Sequence, residues 1–484
     1  MEAKNSQGAL ARKLCARTVV PLVMMSVVLC VPALTRDTHA PDATGTPAEV
    51  TGELIEHYAD GQLKRRCQLD REGRLNGECL EYYPDGTLQV RSKYRRDELI
   101  GKYASYHADG SAWINTTYTK GVLSGKYTER RADGVRRIEG VYKRGLREGI
   151  FSVIDGRKTV REQRWVAGEL TELDGAAVHP RPVAEVWETL AAIYDPTIPR
   201  GGKQLGLTDA PSQKKRENDA GAVQERDDAL RRFMAYRYLA GVEWEDMTVS
   251  ARFNYHGELA ARLLYETNSN NEVPENPGWP RKQYQHAKHG AQNSVFDRGH
   301  TLLEALGNCM AEIGTGVGRR IFLLDPRLMT TGFGRHEDMV AIWFEDESRT
   351  SPADYDWITF PARGVMPVDH FGALDSWSLM LNPGNHAPIT FKNDVSVRLF
   401  ALDEDWVRTG EQLPLERITV FDRTISFRPV AFVLTPGARY EVQYPGIRHD
   451  KVGSTLTYFV EFAETPPHRQ ADPAPGSALY DARD

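Results

Sequence analysis

Asp-Gly pairs begin at residues 60, 85, 109, 133 and 155, and a second set of glycines stands at Gly73, Gly121 and Gly145, so turn chemistry returns about every 24 residues from 52 to 171. Glycine reaches the positive φ that a tight turn needs, and Asp-Gly between alternating segments is the strongest short-range hairpin signal. Short aromatic and β-branched runs lie between the turns: ECLEYYPDG (78–86), KYASYHADG (102–110) and KYTERRADG (126–134). Each unit therefore predicts a β-hairpin. A lone hairpin cannot bury its apolar face, so the five units are expected to stack into one elongated sheet, with Tyr58, Tyr82, Tyr83, Tyr103, Tyr106, Tyr118, Tyr127 and Tyr142 as its packing residues.

Cys67 and Cys79 lie symmetrically about Gly73. If the turn is centred there, they face each other and can bond; if it is centred on Leu75, as the repeat pattern prefers, they are offset and cannot. Five cysteines in 484 residues are too few for a disulfide scaffold, so apolar cores must carry the fold.

The charge balance, 61 basic against 67 acidic residues for a net charge of -6, offers no basic field for a polynucleotide. At the amino terminus Lys4, Arg12, Lys13 and Arg17 precede an uncharged stretch from Thr18 to Leu34, with small residues at Ala33 and Ala40. Residues 1–40 thus predict a signal peptide for export to the envelope, periplasm or extracellular space, and a mature chain without a transmembrane helix.

Patterning weakens over 172–222, which is expected to be a linker with a short helix near Ala184 to Tyr194. From 223 to 348 it returns. Leu230, Phe233, Met234, Tyr238 and Leu239 form one helical stripe, and Val249, Phe253, Ala260, Leu263 and Leu264 a second. A proline-rich loop (271–284) leads to a helix with Leu302, Leu306, Cys309 and Ile313 on one face, which makes Cys309 a buried thiol. Two strands are expected next, RIFLLDP (320–326) and the run Met339 to Phe344. Apolar residues on both faces of the second place the sheet between helical layers, an α/β/α sandwich. Residues 354–462 carry short runs separated by turns and predict an antiparallel β-sandwich with Trp377, Phe427, Tyr440 and Phe459 in its core; residues 463–484 predict a disordered tail.

Three resemblances accompany this multidomain plan. GRLNGECLEYYPDG and GVLSGKYTERRADG resemble divergent bacterial MORN repeats, which implies an interaction surface toward protein, lipid or envelope polymer. YRYLAGVEW, LAARLLYETN, VPENPGWP, NSVFDRG and RRIFLLDPRLMTTGFG resemble the CAP superfamily of cysteine-rich secretory, antigen-5 and pathogenesis-related-like domains, in its disulfide-free branch. YDWITFPARGVMPV and SWSLML are similar to the Ig-like module that often trails such domains.

CAP domains usually hold two histidines and two acidic residues in a central cleft, a divalent-metal site. Here Glu272 stands where the first histidine belongs, Arg319 where the second belongs, and Glu312 matches one acidic position, while the region of the other reads Asn293 and Ser294. Arginine keeps its proton and cannot ligate a metal. The cleft candidates Glu272, Glu312 and Arg319 therefore point to an ion pair between Glu272 and Arg319 that holds the loop, with no metal, no cofactor and no catalytic residue. His286 and His289, three apart near a loop, are expected to face solvent. No nucleophile elbow, phosphate loop or H-E-x-x-H motif appears. A non-catalytic binding or scaffold protein is thus expected, ahead of a divalent-metal hydrolase of peptides or envelope polymers and a lipid carrier.

Overall fold

The computed structural model describes residues 52–198, 220–269, 273–312, 318–346, 355–386, 389, 396–430, 432–449 and 454–466. The proposed signal peptide, Glu272, Ile313 and most of the predicted tail lie outside them. The chain is mostly β, with one large antiparallel amino-terminal sheet and several smaller sheets.

The repeats form a single 14-stranded sheet running from Gly52–His57 to Ala176–Ala177, with nearly every strand paired to its neighbours in sequence. The Asp-Gly turns behave as their chemistry requires. Asp60, Asp85, Asp109 and Asp133 each accept a hydrogen bond from the backbone two residues on, at 2.8 to 3.0 Å, and the following Gly61, Gly86, Gly110 and Gly134 take φ of +86°, +86°, +82° and +69°. Successive units are then tied at the repeat spacing: Tyr58 Oη donates to Tyr82 O at 2.7 Å and Tyr83 Oη to Tyr106 O at 2.9 Å, while His107 Nε2 lies 2.9 Å from Arg130 O. Of the two possible turns near the cysteines, the one around Gly73 is formed. Leu63–Leu69 and Leu75–Tyr82 pair so that Cys67 faces Cys79 directly, the Cα atoms 4.0 Å apart and the sulfurs bonded.

Of the stretch expected to be a linker, residues 199–219 lie outside the described residues, and the short helix expected within it contributes to the core. This is helix α1 (Val183–Tyr194), which buries Val186, Leu190 and Ile193. Helix α2 (Ala220–Ala240) buries Leu230, Phe233, Met234 and Leu239, and helix α3 (Ala251–Glu266) is capped by Ser250, whose side chain accepts from Phe253 N. The proline-rich loop ends earlier than expected, at Pro280, where helix α4 (Arg281–Gln292) begins. Only Ala287 and Gly290 of α4 are buried, so it lacks the apolar stripe that would reveal it in sequence.

Helix α5 (Leu302–Ala311) follows the strand Ser294–Arg298 and buries Leu302, Leu306 and Cys309 as expected. RIFLLDP differs: Arg319–Leu323 is a short helix, α6, and not a strand. A brief apolar run does not distinguish the two states. Here the first amide groups of the turn meet the carboxylate of Glu312, which favours the helix. The expected strand at 339 is present and wholly buried as Met339–Trp343, at the centre of a three-stranded antiparallel sheet with Ser294–Arg298 and Phe333–His336. Ala341 and Met339 pack toward Ala260, Ala261 and Leu264 of α3, whereas Val340 and Ile342 belong to the core that holds Leu306 and Cys309 of α5.

Two four-stranded sheets follow. Their facing residues share that same core, with Trp377 within 6.1 Å of the rings of Phe427, Tyr440 and Phe462. Trp377, Phe427 and Tyr440 lie in that core as expected; Phe459 is buried as well, but on the other face of its strand, in a separate cluster with Leu170, Leu173, Val178 and Trp406. One pairing departs from the antiparallel expectation: Gly364–Pro367 runs parallel to Ser454–Ala463. Several strands separate the two in sequence, so no hairpin fixes their direction.

Candidate functional site

Helix α5 begins at Thr301, whose Oγ1 accepts from Glu304 N at 3.1 Å, while Glu304 Oε2 accepts from His300 N at 2.8 Å. It ends at Glu312, in the left-handed region at φ 51° and only 3% exposed. That conformation turns the carboxylate toward the start of α6. Oε1 accepts from the backbone of Arg319 at 2.5 Å and of Arg320 at 2.7 Å; Oε2 is buried without a protein partner. Burial raises the Glu312 pKa above the ordinary carboxyl value, against the pull of Arg320 and of the two amides.

The two arginines differ sharply. Arg319, with 34% of its side chain exposed, pairs with Asp297, donates to Phe296 O at 3.2 Å and lies 3.9 Å from Cys309 Sγ. Asp297 also accepts from Asn308 Nδ2 at 2.7 Å. Burial pushes the Cys309 thiol up to about 12, so it stays protonated and inert. Arg320 is fully buried. It donates from Nε to Met310 O at 2.7 Å, from one terminal nitrogen to Ser376 O and Ser378 Oγ at 2.8 Å each, and from the other to Met310 O and to Ala311 O at 3.2 Å. The Phe360 ring lies 4.6 Å from its guanidinium carbon. Burial pushes its pKa down to about 10 even beside Glu312. Ser376 completes the junction, donating from N to Ala311 O at 2.9 Å and from Oγ to Glu312 O at 3.0 Å.

Of the three cleft candidates, Glu312 and Arg319 are therefore neighbours through a backbone contact, and Glu272 lies outside the described residues. The side-chain partner of Arg319 is Asp297. Sequence reasoning looked for an acidic group at Asn293 and Ser294 and did not weigh Asp297, three residues past Ser294, although the Asp-Arg following the apolar Val-Phe of NSVFDRG marks it. It also missed Arg320, whose only mark is the Arg-Arg doublet ahead of an apolar run.

The groups at this node are committed to one another. Arg320 has spent its donors on carbonyls and a hydroxyl, Glu312 offers one buried oxygen, and the neighbouring thiol is neutral. The arrangement fastens the end of α5 and the start of α6 to the strand Trp377–Leu381.

A cavity of about 560 Å³ opens elsewhere, lined by Arg181, Glu185, Tyr238, Trp244, Glu245 and Met329 among others, and a smaller one of about 180 Å³ lies beside Glu225, Glu258 and Arg335. Neither reaches Glu312. Among the described residues no group of three or more His, Cys, Asp or Glu is placed to hold a metal ion, and no helix is long and apolar enough to cross a membrane.

His286 and His289 sit on α4. His289 is exposed, but His286 is half-buried, and both rings pack on His256 of α3, with centroids 4.9 and 5.1 Å away. His256 itself was passed over, although it lies three residues past Phe253 and four before Ala260, on the apolar stripe of its helix.

No known family model matches the chain, and no curated protein matches it.

Proposed function

We propose that the chain is an exported, non-catalytic binding or scaffold protein of the envelope or extracellular space. In this reading the long sheet is MORN-like and meets a protein, lipid or envelope polymer, the helical middle is a CAP-like α/β/α sandwich, and the last two sheets form an Ig-like sandwich. The observation that carries it is the rigid anchorage of the sheet to the rest of the molecule. Arg161, 4% exposed, donates to Trp406 O at 2.7 Å, Asp174 Oδ2 at 2.6 Å and Glu441 Oε2 at 3.0 Å, while Arg131 bonds Asp405 at 2.6 Å and Arg136 pairs with Asp403. A platform held by ionic contacts toward one end leaves the earlier repeats free to present Ile55 and Trp113, and the anchored strands themselves still expose Val141 and Ile150; the four are 39% to 50% exposed.

The metal-hydrolase alternative requires ligands that converge, and Glu312 stands between two guanidinium-bearing residues with one of its oxygens already occupied. The test is co-sedimentation of the purified chain with anionic phospholipid vesicles and with isolated cell-wall polymer. The expected result is binding to one of the two that Trp113→Ser/Ile150→Ser weakens and Glu312→Gln does not. Binding to neither, together with metal-dependent cleavage of a peptide or polymer substrate, would overturn the proposal.

A further inference from the structure

Helix α4 is held on the molecule by little apolar surface. It buries Ala287 and Gly290, and Gly290 comes so close to α3 that a Cβ there would stand 2.1 Å from the carbonyl oxygen of His256. Ala291, partly buried, adds a small contact with the cluster of Ala260, Leu264 and Phe296, and most of what is left is aromatic and imidazole. His256, 4% exposed with Nδ1 unpartnered, is packed by His286 at 4.9 Å, His289 at 5.1 Å and Trp343 at 5.9 Å; Tyr255 lies 5.5 Å from His286, and Trp343 lies 5.2 Å from His289.

The charged surroundings are one-sided. The groups that act on His256 and His286 are Arg252 of α3, Lys282 of α4 and the imidazoles themselves, and every one of them opposes protonation. Tyr255 is titratable but its pKa is raised by burial, so it stays neutral in acid. Among the described residues no carboxylate acts on His256 or His286: Asp297 of the neighbouring strand is engaged by Arg319 and Asn308, Asp338 at the turn between two strands by Arg298, and Glu225 of α2 by Arg335. Glu258 of α3 acts on Tyr255 and lines the 180 Å³ cavity with Arg335, and is not among the groups that act on His256 or His286.

We propose that α4 is an acid-released element, detached from α3 when His256, packed between the rings of His286 and His289, takes up a proton that its surroundings cannot neutralise. Burial first, and then the neighbouring imidazoles and Arg252, hold His256 down at about 3 in the packed state. A histidine with a depressed folded pKa contributes stability that is whole above its free value of about 6.5 and is lost as pH falls below it, by up to tenfold in the packing equilibrium per pH unit. Between pH 6.5 and 4.5 one such proton weakens the α3–α4 contact by up to about 50-fold. The device is independent of the partner the long sheet meets.

Hydrogen exchange read by mass spectrometry on the whole chain tests it, with intrinsic rates corrected for pH. Peptides covering 281–292 are expected to lose about 30- to 50-fold in protection from pH 7 to 4.5, while those covering 302–311 hold theirs. His256→Phe, which fills the site without a proton acceptor, should abolish the loss. His286→Gln/His289→Gln, at the less buried positions, should reduce it at least threefold by removing the like charges. Equal loss in both helices, or an undiminished loss in both variants, would overturn the proposal. So would zinc chloride raising α4 protection at pH 7 in the parent and not in His256→Phe, since the cluster would then be a metal site.

Discussion

Replacing Arg320 by methionine tests which arginine governs the centre of the molecule. The guanidinium is fully buried and serves Met310 O, Ala311 O, Ser376 O and Ser378 Oγ, with Glu312 beside it and Phe360 against its face. Removing one member of a buried, hydrogen-bonded charged group costs about 3–5 kcal/mol, and each stranded buried carbonyl about 1–3 kcal/mol where it finds no new donor. These terms do not add, because methionine keeps the apolar contact with Phe360 and Glu312 can take a proton. The net expectation is a loss of about 3–5 kcal/mol at pH 7. Arg319→Met, by contrast, breaks a pair whose members are 34% and 18% exposed, and should cost about 1 kcal/mol or less. Urea unfolding followed by both circular dichroism and tryptophan fluorescence measures the difference, with coincident transitions required before free energies are compared. If Arg319→Met proves the more damaging, or Arg320→Met costs under about 1 kcal/mol, the assignment of the fastening role to Arg320 is wrong.

Other perturbations follow from the same contacts. The raised pKa of Glu312 means that its protonated form fits the fold better, so its contribution is present below the unfolded value and declines as pH rises through the folded one; the stability of the parent relative to Glu312→Gln should fall from pH 4 to pH 7 in parallel urea titrations. Glu441 titrates the other way. Burial alone would raise it, but hydrogen bonds from Arg408 and Arg161 hold it below the usual range, so the stability it contributes is lost as pH falls through that depressed value, and Glu441→Gln should flatten the acid limb of the melting curve. Opening the disulfide between Cys67 and Cys79, 12 residues apart, with Cys67→Ala/Cys79→Ala should cost about 2–3 kcal/mol by loop-closure entropy, seen as faster exchange confined to the first two hairpins. Gly334→Ala would set a Cβ 2.1 Å from the backbone of Gly257 and Glu258, which forces α3 off its strand; a drop of several degrees in melting temperature is expected, and an unchanged value would show the contact to be loose.

What could be read in the sequence divides along a physical line. Asp60-Gly61 and its successors announce their turns because an Asp carboxylate and a glycine φ act within four residues, and the hairpins follow from them. The pairing of Cys67 with Cys79 needed only one further fact, that Asp70 accepts from Glu72 N and Arg74 N and so places the bend around Gly73. Helix α4 stayed hidden because RKQYQHAKHGAQ buries only an alanine and a glycine; what holds it is the imidazole of another helix. RIFLLDP was equally balanced between strand and helix until Glu312, seven residues before Arg319, supplied an acceptor for its first amides.

The placement of charge was the least legible part, for a reason that Arg319 and Arg320 make plain. The two are adjacent and identical in type, and their side chains leave the backbone on different sides of one short helix. Their different burial is decided by what the rest of the chain brings to each side: the carbonyls of Met310, Ala311 and Ser376 to one, the strand end at Asp297 to the other. Counting back from Pro326 identifies a position but cannot weigh acceptors 56 residues downstream. A buried arginine is stable only where its donors are met, so the residue that fastens this molecule had to be found from the carbonyls that surround it.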